Sequence, residues 1–242
     1  MASKLRSIAF LLFQAVVTPF YAVALVGGFW LPRVPRYKIA RHWCWLNLQA
    51  VRLLCGIDWK VQGLENIPAD TLANPHIVMS KHSSTWETLA LNLYFPPLAF
   101  VAKKELLSIP FFGWGFRLAS PITIDRKAGT DAMEQIVAQG RKRFTQGFWI
   151  VIYPEGTRIR AGKRAKYKTG GARLAVAMNV PVIPVAHNAG YVWPKGMWGK
   201  RPGTVTMTVG PAISPAGKDV ATLTQEVENW IEGEVARLGV PP

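Results

Sequence analysis

Near its start the chain carries a long stretch without charge. From Ile8 to Leu31 no position is charged, and about 24 such residues are enough to cross a hydrocarbon core of ~30 Å. Pro19 and Gly27-Gly28 interrupt the run, and both flanks are basic: Lys4 and Arg6 before it, Arg33, Arg36, Lys38 and Arg41 after it. With positive charge at both ends the positive-inside rule selects no side, which suits a segment that dips into a bilayer and returns. Arg41 to Gly56 then mixes apolar residues with Trp43, Trp45 and Arg52, side chains that favour the headgroup layer. Residues 1–58 are read as two membrane-embedded or membrane-lying helices. Two rival readings are a buried hairpin of a soluble fold and a signal peptide cleaved near Ala22-Val23-Ala24, although the apolar run continues past that point.

Beyond Ile57 short apolar runs alternate with longer amphipathic ones. The pattern predicts strands at Trp59–Gln62, Ile77–Ser80, Ala99–Ala102, Pro121–Ile124, Phe148–Tyr153, Val182–Ala186 and Thr204–Val209. It predicts helices at Thr85–Tyr94, Phe112–Leu118, Thr130–Thr145, Gly170–Met178 and Asp219–Leu238. Strands alternating with helices imply an α/β domain over residues 59–242, a mixed, mostly parallel central sheet flanked by helices. In such folds ligands gather at the carboxyl ends of strands. Three polar clusters fall there: His82 after Ile77–Ser80, Asp125-Arg126 after Pro121–Ile124, and Glu155-Gly156-Thr157-Arg158 after the fifth strand.

Charge sharpens this picture. The net charge is +15, and five of the acidic residues, Asp219, Glu226, Glu228, Glu232 and Glu234, lie near the C-terminus. Such a surface seeks phospholipid headgroups, phosphorylated substrates or acidic proteins. Zinc-finger spacing, an RNA-recognition signature and a basic recognition helix are all missing, which argues against nucleic acid. The two cysteines, Cys44 and Cys55, give no disulfide framework and fit a reducing, cytoplasmic setting.

His82 stands five residues before Glu87. A histidine in a loop with a carboxylate in the following helical turn is the pairing a general base needs. The same residues also read as a capping box, with Ser84 at the N-cap and Glu87 at N3. In Pro154–Arg158, Gly156 permits close backbone approach, while Thr157 and Arg158 can hold a phosphate oxygen. Seven basic residues from Arg158 to Arg173, with no acid among them, extend that anion-seeking character. There is no G-x-S-x-G elbow, no H-E-x-x-H, no P-loop and no Rossmann glycine pattern. Acyl-serine, metal, nucleotide and redox chemistries therefore lack support. His76 and His187 read as structural, and His42 as packing.

Four ordered motifs across roughly residues 60–210 resemble the 1-acyl-glycerol-3-phosphate acyltransferase family. They are His82-Ser83-Ser84-Thr85-Trp86-Glu87; Lys104-Glu105-Leu106 with Pro110, Gly113 and Asp125-Arg126; Pro154–Arg158; and Val180–Val185. Glu87 stands where aspartate is commoner in the family, and Lys81 where asparagine is common. The resemblance implies direct acyl transfer, with His82 as base and Glu87 orienting it. Lys104, Arg126, Thr157 and Arg158 would bind the substrate phosphate, with Glu155 and Gly156 shaping that phosphate-binding loop. The fourth motif packs or lines an acyl channel. The implied partners are lysophosphatidic acid, acyl-CoA or acyl-acyl carrier protein, and anionic membrane lipids, with no metal or organic cofactor. The implied place is the cytoplasmic face of a bacterial inner membrane. Another acceptor, such as glycerol 3-phosphate or a lyso-aminolipid, and a non-catalytic lipid-binding role remain the alternatives.

Overall fold

The computed structural model describes residues 2–71, 73–124 and 131–241. Two helices, α1 (Ala2–Gly27) and α2 (Arg33–Cys55), precede β1 (Ile57–Gln62), β2 (Ile77–Ser80), α3 (Trp86–Tyr94), β3 (Leu98–Lys103), α4 (Phe112–Leu118) and β4 (Ile122–Ile124). The chain continues through α5 (Asp131–Phe144), β5 (Trp149–Ile152), α6 (Gly170–Met178), β6 (Val182–His187), β7 (Gly203–Val209) and α7 (Val220–Leu238). Among the described residues the strands form one seven-stranded sheet in the order β1-β7-β6-β2-β5-β3-β4. All neighbouring pairs are parallel except β6 with β7.

β2, β5 and β6 are buried at every position, as befits central parallel strands covered on both faces. Successive side chains point to opposite faces, and two cores result. Val78, Val151, Ile183 and Val185 meet α2 and α3 through Leu48, Val51, Trp86 and Leu91. Ile77, Met79, Ile150 and Val182 meet α6 and α7 through Leu174, Leu223, Val227 and Ile231. The register Ile77 opposite both Ile150 and Val182 ends β2, β5 and β6 at one rim, so the loops after them converge.

α1 continues through Pro19 without a break. It meets the rest of the molecule along its whole length. Ser3 Oγ donates to the Lys200 carbonyl at 2.8 Å, Phe10 packs edge-on against Trp193 at 5.2 Å, and Gln14 bonds Asn47 of α2 at 3.0 Å. At its far end Ala22 and Leu25 are buried, close to Gly115 of α4. The opposite stripe, Leu5, Leu12, Val16, Phe20 and Val23, is more than 60% exposed at each position. These positions recur at the three- and four-residue spacing of one helical face.

Candidate active site

β2 hands its chain directly to the site. The Lys81 N–H still donates to the Val185 carbonyl of β6 at 2.9 Å, and His82 is the next residue out. Its Nδ1 lies 2.8 Å from Glu87 Oε1. The imidazole stacks on Tyr153 with centroids 3.9 Å apart and planes 13° from parallel, and Tyr153 is held in turn by a 2.8 Å bond between its hydroxyl and that of Thr88. A carboxylate on Nδ1 keeps the proton there, which leaves the lone pair of the neutral ring on Nε2. The side chain keeps 17% of its surface exposed, so a substrate hydroxyl can reach it.

Glu87 is fully buried in the first turn of α3. Its Oε1 also accepts the Ser84 N–H at 3.1 Å, while Ser84 Oγ accepts the Trp86 N–H at 3.1 Å. The capping pattern and the histidine contact thus coexist on one carboxylate. The cap differs in detail from the expected box: α3 starts at Trp86, Thr85 is its flanking residue, and Ser84 reaches Trp86 instead of Glu87. The second oxygen, Oε2, has no hydrogen-bond partner and lies 3.7 Å from His187 Nε2. Burial pushes the Glu87 carboxyl up, but His187 together with the hydrogen bond and charge of His82 brings it below its ordinary value, so it is ionised at neutral pH.

His187 ends β6, beside β2. Burial lowers its pKa, so the ring is neutral at pH 7. Nε2–H donates to the Lys81 carbonyl at 2.9 Å, and Nδ1 accepts the Ala189 N–H at 3.2 Å. These bonds fix the tautomer with its N–H edge toward Glu87. Sequence pattern alone marks His187 as a structural ring. Its place beside the pair follows from β6 and β2 being sheet neighbours.

The loop after β5 runs along the backbone of His82. Glu155 Oε2 accepts the His82 N–H at 2.6 Å, and the Ile159 N–H donates to the His82 carbonyl at 2.8 Å. Glu155 Oε1 lies 2.6 Å from Lys81 Nζ. Glu155 therefore shapes the loop from inside, with Oε2 hydrogen-bonded to the backbone and Oε1 in an ion pair that lacks hydrogen-bond geometry. Gly156 takes a positive φ of 70°, a conformation that disfavours a side chain. Thr157 is exposed, and Arg158 Nη1 donates to Thr85 Oγ1 at 2.7 Å, which brings the guanidinium over the start of α3. Lys104 is exposed at the start of a short 3-10 turn after β3. Asp125 and Arg126 lie outside the described residues.

His76 packs on Trp149 at 4.7 Å, and His42 bonds Tyr21 and stacks on Trp45, both as expected of structural rings. Among the described residues no group of three or more His, Cys, Asp or Glu side chains is placed to hold a metal ion. An apolar cavity opens between α1, α2, α3, α4 and β3. Tyr37, Trp43, Leu98, Phe100 and Phe116 line it, and it reaches Thr88, whose hydroxyl meets Tyr153 beneath the His82 ring.

Known proteins resemble this chain in sequence and fold. Residues 58–188 match the family model described as Acyltransferase. The chain is 43% identical over 212 residues to the 1-acyl-sn-glycerol-3-phosphate acyltransferase of Pseudomonas aeruginosa, covering 86% of this chain and 81% of that protein. It is 31% identical over 177 residues to the enzyme of that name from Salmonella typhimurium, covering 72% and 71%. The crystal structure of the 1-acyl-sn-glycerophosphate (LPA) acyltransferase PlsC from Thermotoga maritima superposes with a TM-score of 0.80 at 26% identity, over 97% of this chain and 95% of that one. With the His82–Glu87 and Pro154–Arg158 motifs meeting at one rim of the sheet, the chain belongs to the 1-acyl-glycerol-3-phosphate acyltransferase family and is an acyltransferase.

Proposed function

We propose that this protein moves a fatty acyl group from an acyl thioester to the sn-2 hydroxyl of 1-acyl-glycerol 3-phosphate, giving phosphatidic acid for phospholipid synthesis. The observation that carries this reading is His82 with Nδ1 bonded to the buried, ionised Glu87. Nε2 takes the proton of the acceptor hydroxyl as its oxygen attacks the thioester carbonyl. Glu87 stabilises the imidazolium formed in that step. The tetrahedral oxyanion collapses, the carbon–sulfur bond breaks, and the imidazolium returns its proton to the departing thiolate.

The acceptor phosphate is assigned to Arg158 and Thr157, with Lys104 and Arg126 contributing further charge. Glu155 and Gly156 shape the loop that presents them. A guanidinium suits a phosphate because its donors form a planar fork. The cavity ending at Thr88 suits an acyl chain. The donor is acyl-CoA or acyl-acyl carrier protein, and the exposed cations Arg160, Lys163, Arg164, Lys166 and Lys168 suit the acidity of either. We place the protein on the cytoplasmic face of a bacterial inner membrane. The apolar outer stripe of α1 supports a helix lying in the interface, since both its ends rest on the domain.

The test is an acylation assay with purified full-length chain, a labelled thioester, and lysophosphatidate, glycerol 3-phosphate or a phosphate-free lyso-lipid as acceptor. His82→Ala should lower turnover by ~10²- to 10⁴-fold, the usual range for losing a general base. Near-normal turnover by a folded His82→Ala protein would leave the mechanism without its base. Equal rates on the phosphate-free acceptor would remove the phosphate assignment.

A further inference from the structure

Beneath the His82 loop lies a buried charge cluster that joins Glu155 of the Pro154–Arg158 motif to residues outside the four motifs. Lys81 is 3% exposed, and its ammonium sits between two carboxylates: Glu155 Oε1 at 2.6 Å and Glu232 Oε1 at 2.7 Å. Glu232, on α7, is 5% exposed. Its Oε1 also accepts the Tyr167 hydroxyl at 2.9 Å, and its Oε2 lies 3.5 Å from Arg164 Nε. β2, the loop after β5, the basic segment and the C-terminal helix thus share one ion cluster. A polar cavity adjoins it, lined in part by Lys81, Ser83, His187 and Glu232.

We propose that Lys81 and Glu232 are positioning residues for acyl transfer, acting on His82 through Glu155, so that α7 helps set the angle of the base. This inference rests on the proposed function. The chain of contacts is continuous: Glu232 to Lys81, Lys81 to Glu155 Oε1, Glu155 Oε2 to the His82 N–H. Glu155 is the link that needs support. Burial raises its carboxyl pKa, and Lys81 is the first group opposing that rise. Glu232 holds the far side of the same ammonium. Without it Lys81 can turn toward the adjoining cavity, Glu155 loses its fixed partner, and the His82 backbone loses a restrained acceptor.

The cluster is an expensive way to fill this space. Apolar residues of similar volume are often no less stable than a buried ion pair, so a cluster kept only for stability has a cheaper substitute. A geometric role explains it better, since a displacement of about 1 Å at a reacting group can cost ~10²-fold in rate. Lys81 stands directly before the base, and its carbonyl also accepts from His187, so both histidines near Glu87 are tied to this one residue.

The test uses the full-length chain in lipid vesicles, with lysophosphatidate and one acyl thioester. Glu232→Gln keeps the shape of the side chain and removes its charge. Its kcat should fall at least tenfold, with KM for both substrates within about twofold and the thermal midpoint nearly unchanged, while Glu232→Asp recovers part of the loss. The double variant Lys81→Met/Glu232→Leu fills the space with apolar atoms but also leaves the buried Glu155 carboxylate without its ammonium, which lowers stability; assayed well below its melting midpoint, it should lose about a hundredfold in kcat or more. Wild-type kcat in folded Glu232→Gln overturns the inference and leaves the proposed function standing, as does a kcat loss that appears only where the variant is melting. A wild-type chain inactive on lysophosphatidate overturns the proposed function and this inference with it.

Discussion

Glu87→Gln separates the helix-start contact of one carboxylate from the catalytic role proposed for it. Two donors converge on Oε1, His82 Nδ1–H at 2.8 Å and the Ser84 N–H at 3.1 Å. A glutamine therefore places its carbonyl oxygen there and its amide nitrogen toward the His187 N–H, a donor facing a donor across the 3.7 Å gap. The cap and the tautomer of His82 survive, and the negative charge does not. That charge matters only once His82 has taken the acceptor's proton, so its loss falls on the transition state. For unit charges 2.8 Å apart, an effective dielectric of ~20 gives about 6 kcal/mol. Glu87 is fully buried, so solvent screens this little. Some relaxation around the imidazolium offsets part of it, and a fall in kcat of ~10³- to 10⁴-fold is expected. KM for both substrates should stay within about twofold. The assay is steady-state acylation of lysophosphatidate over a range of thioester concentrations, with circular dichroism and a melting curve on the same samples. A folded Glu87→Gln protein that keeps more than about a tenth of wild-type kcat would refute the electrostatic argument and leave Glu87 as a helix cap.

Four further outcomes are expected. Arg158→Ala should raise the KM for lysophosphatidate by ~10- to 100-fold, the scale of one charge-assisted hydrogen bond; loss of thioester affinity alone would move that loop to the donor. His187 has its pKa depressed by burial from 6.5, so the unfolded chain binds a proton that the folded chain refuses. Its stabilising contribution is present above pH 6.5 and is lost as pH falls through that value toward the folded pKa. His187→Gln should flatten the decline of thermal midpoint on acidification below pH 6.5, and an unchanged slope would contradict this. Ala40→Phe should narrow the apolar cavity and shift acceptance toward shorter acyl chains, at about 0.8 kcal/mol for each methylene left outside; an unaltered chain-length profile counts against the cavity as the acyl site. Leu12→Glu/Phe20→Glu places two charges on a stripe whose residues are 64% and 72% exposed and should release the protein from sedimenting vesicles, whereas full retention would mean that α1 is not the anchor.

Much of this was legible from residue order because its causes are local. The apolar runs at Ile77–Ser80 and Val182–Ala186 form strands where expected, since a run buried on both faces has few other solutions in an α/β chain. α4 and α6 begin and end where the periodicity places them. The spacing of His82 and Glu87 requires a loop residue followed by a first-turn residue, because positions five apart on one helix point away from each other.

Sequence alone thus determined the α/β class, the strand and helix order, the apolar front and the His82–Glu87 pairing, each a matter of periodicity or near neighbours. Tertiary structure decided the rest. His187 and Glu87 lie 100 positions apart and meet because β6 pairs with β2. Glu155, read in sequence as part of a phosphate loop, holds the His82 N–H because the loops after β5 and β2 leave the sheet at one rim. Lys81 and Glu232 are 151 positions apart and meet because α7 packs across β6. Contacts of this kind depend on which strands become neighbours, and that is settled by burying both faces of the whole sheet together, a condition no short segment carries.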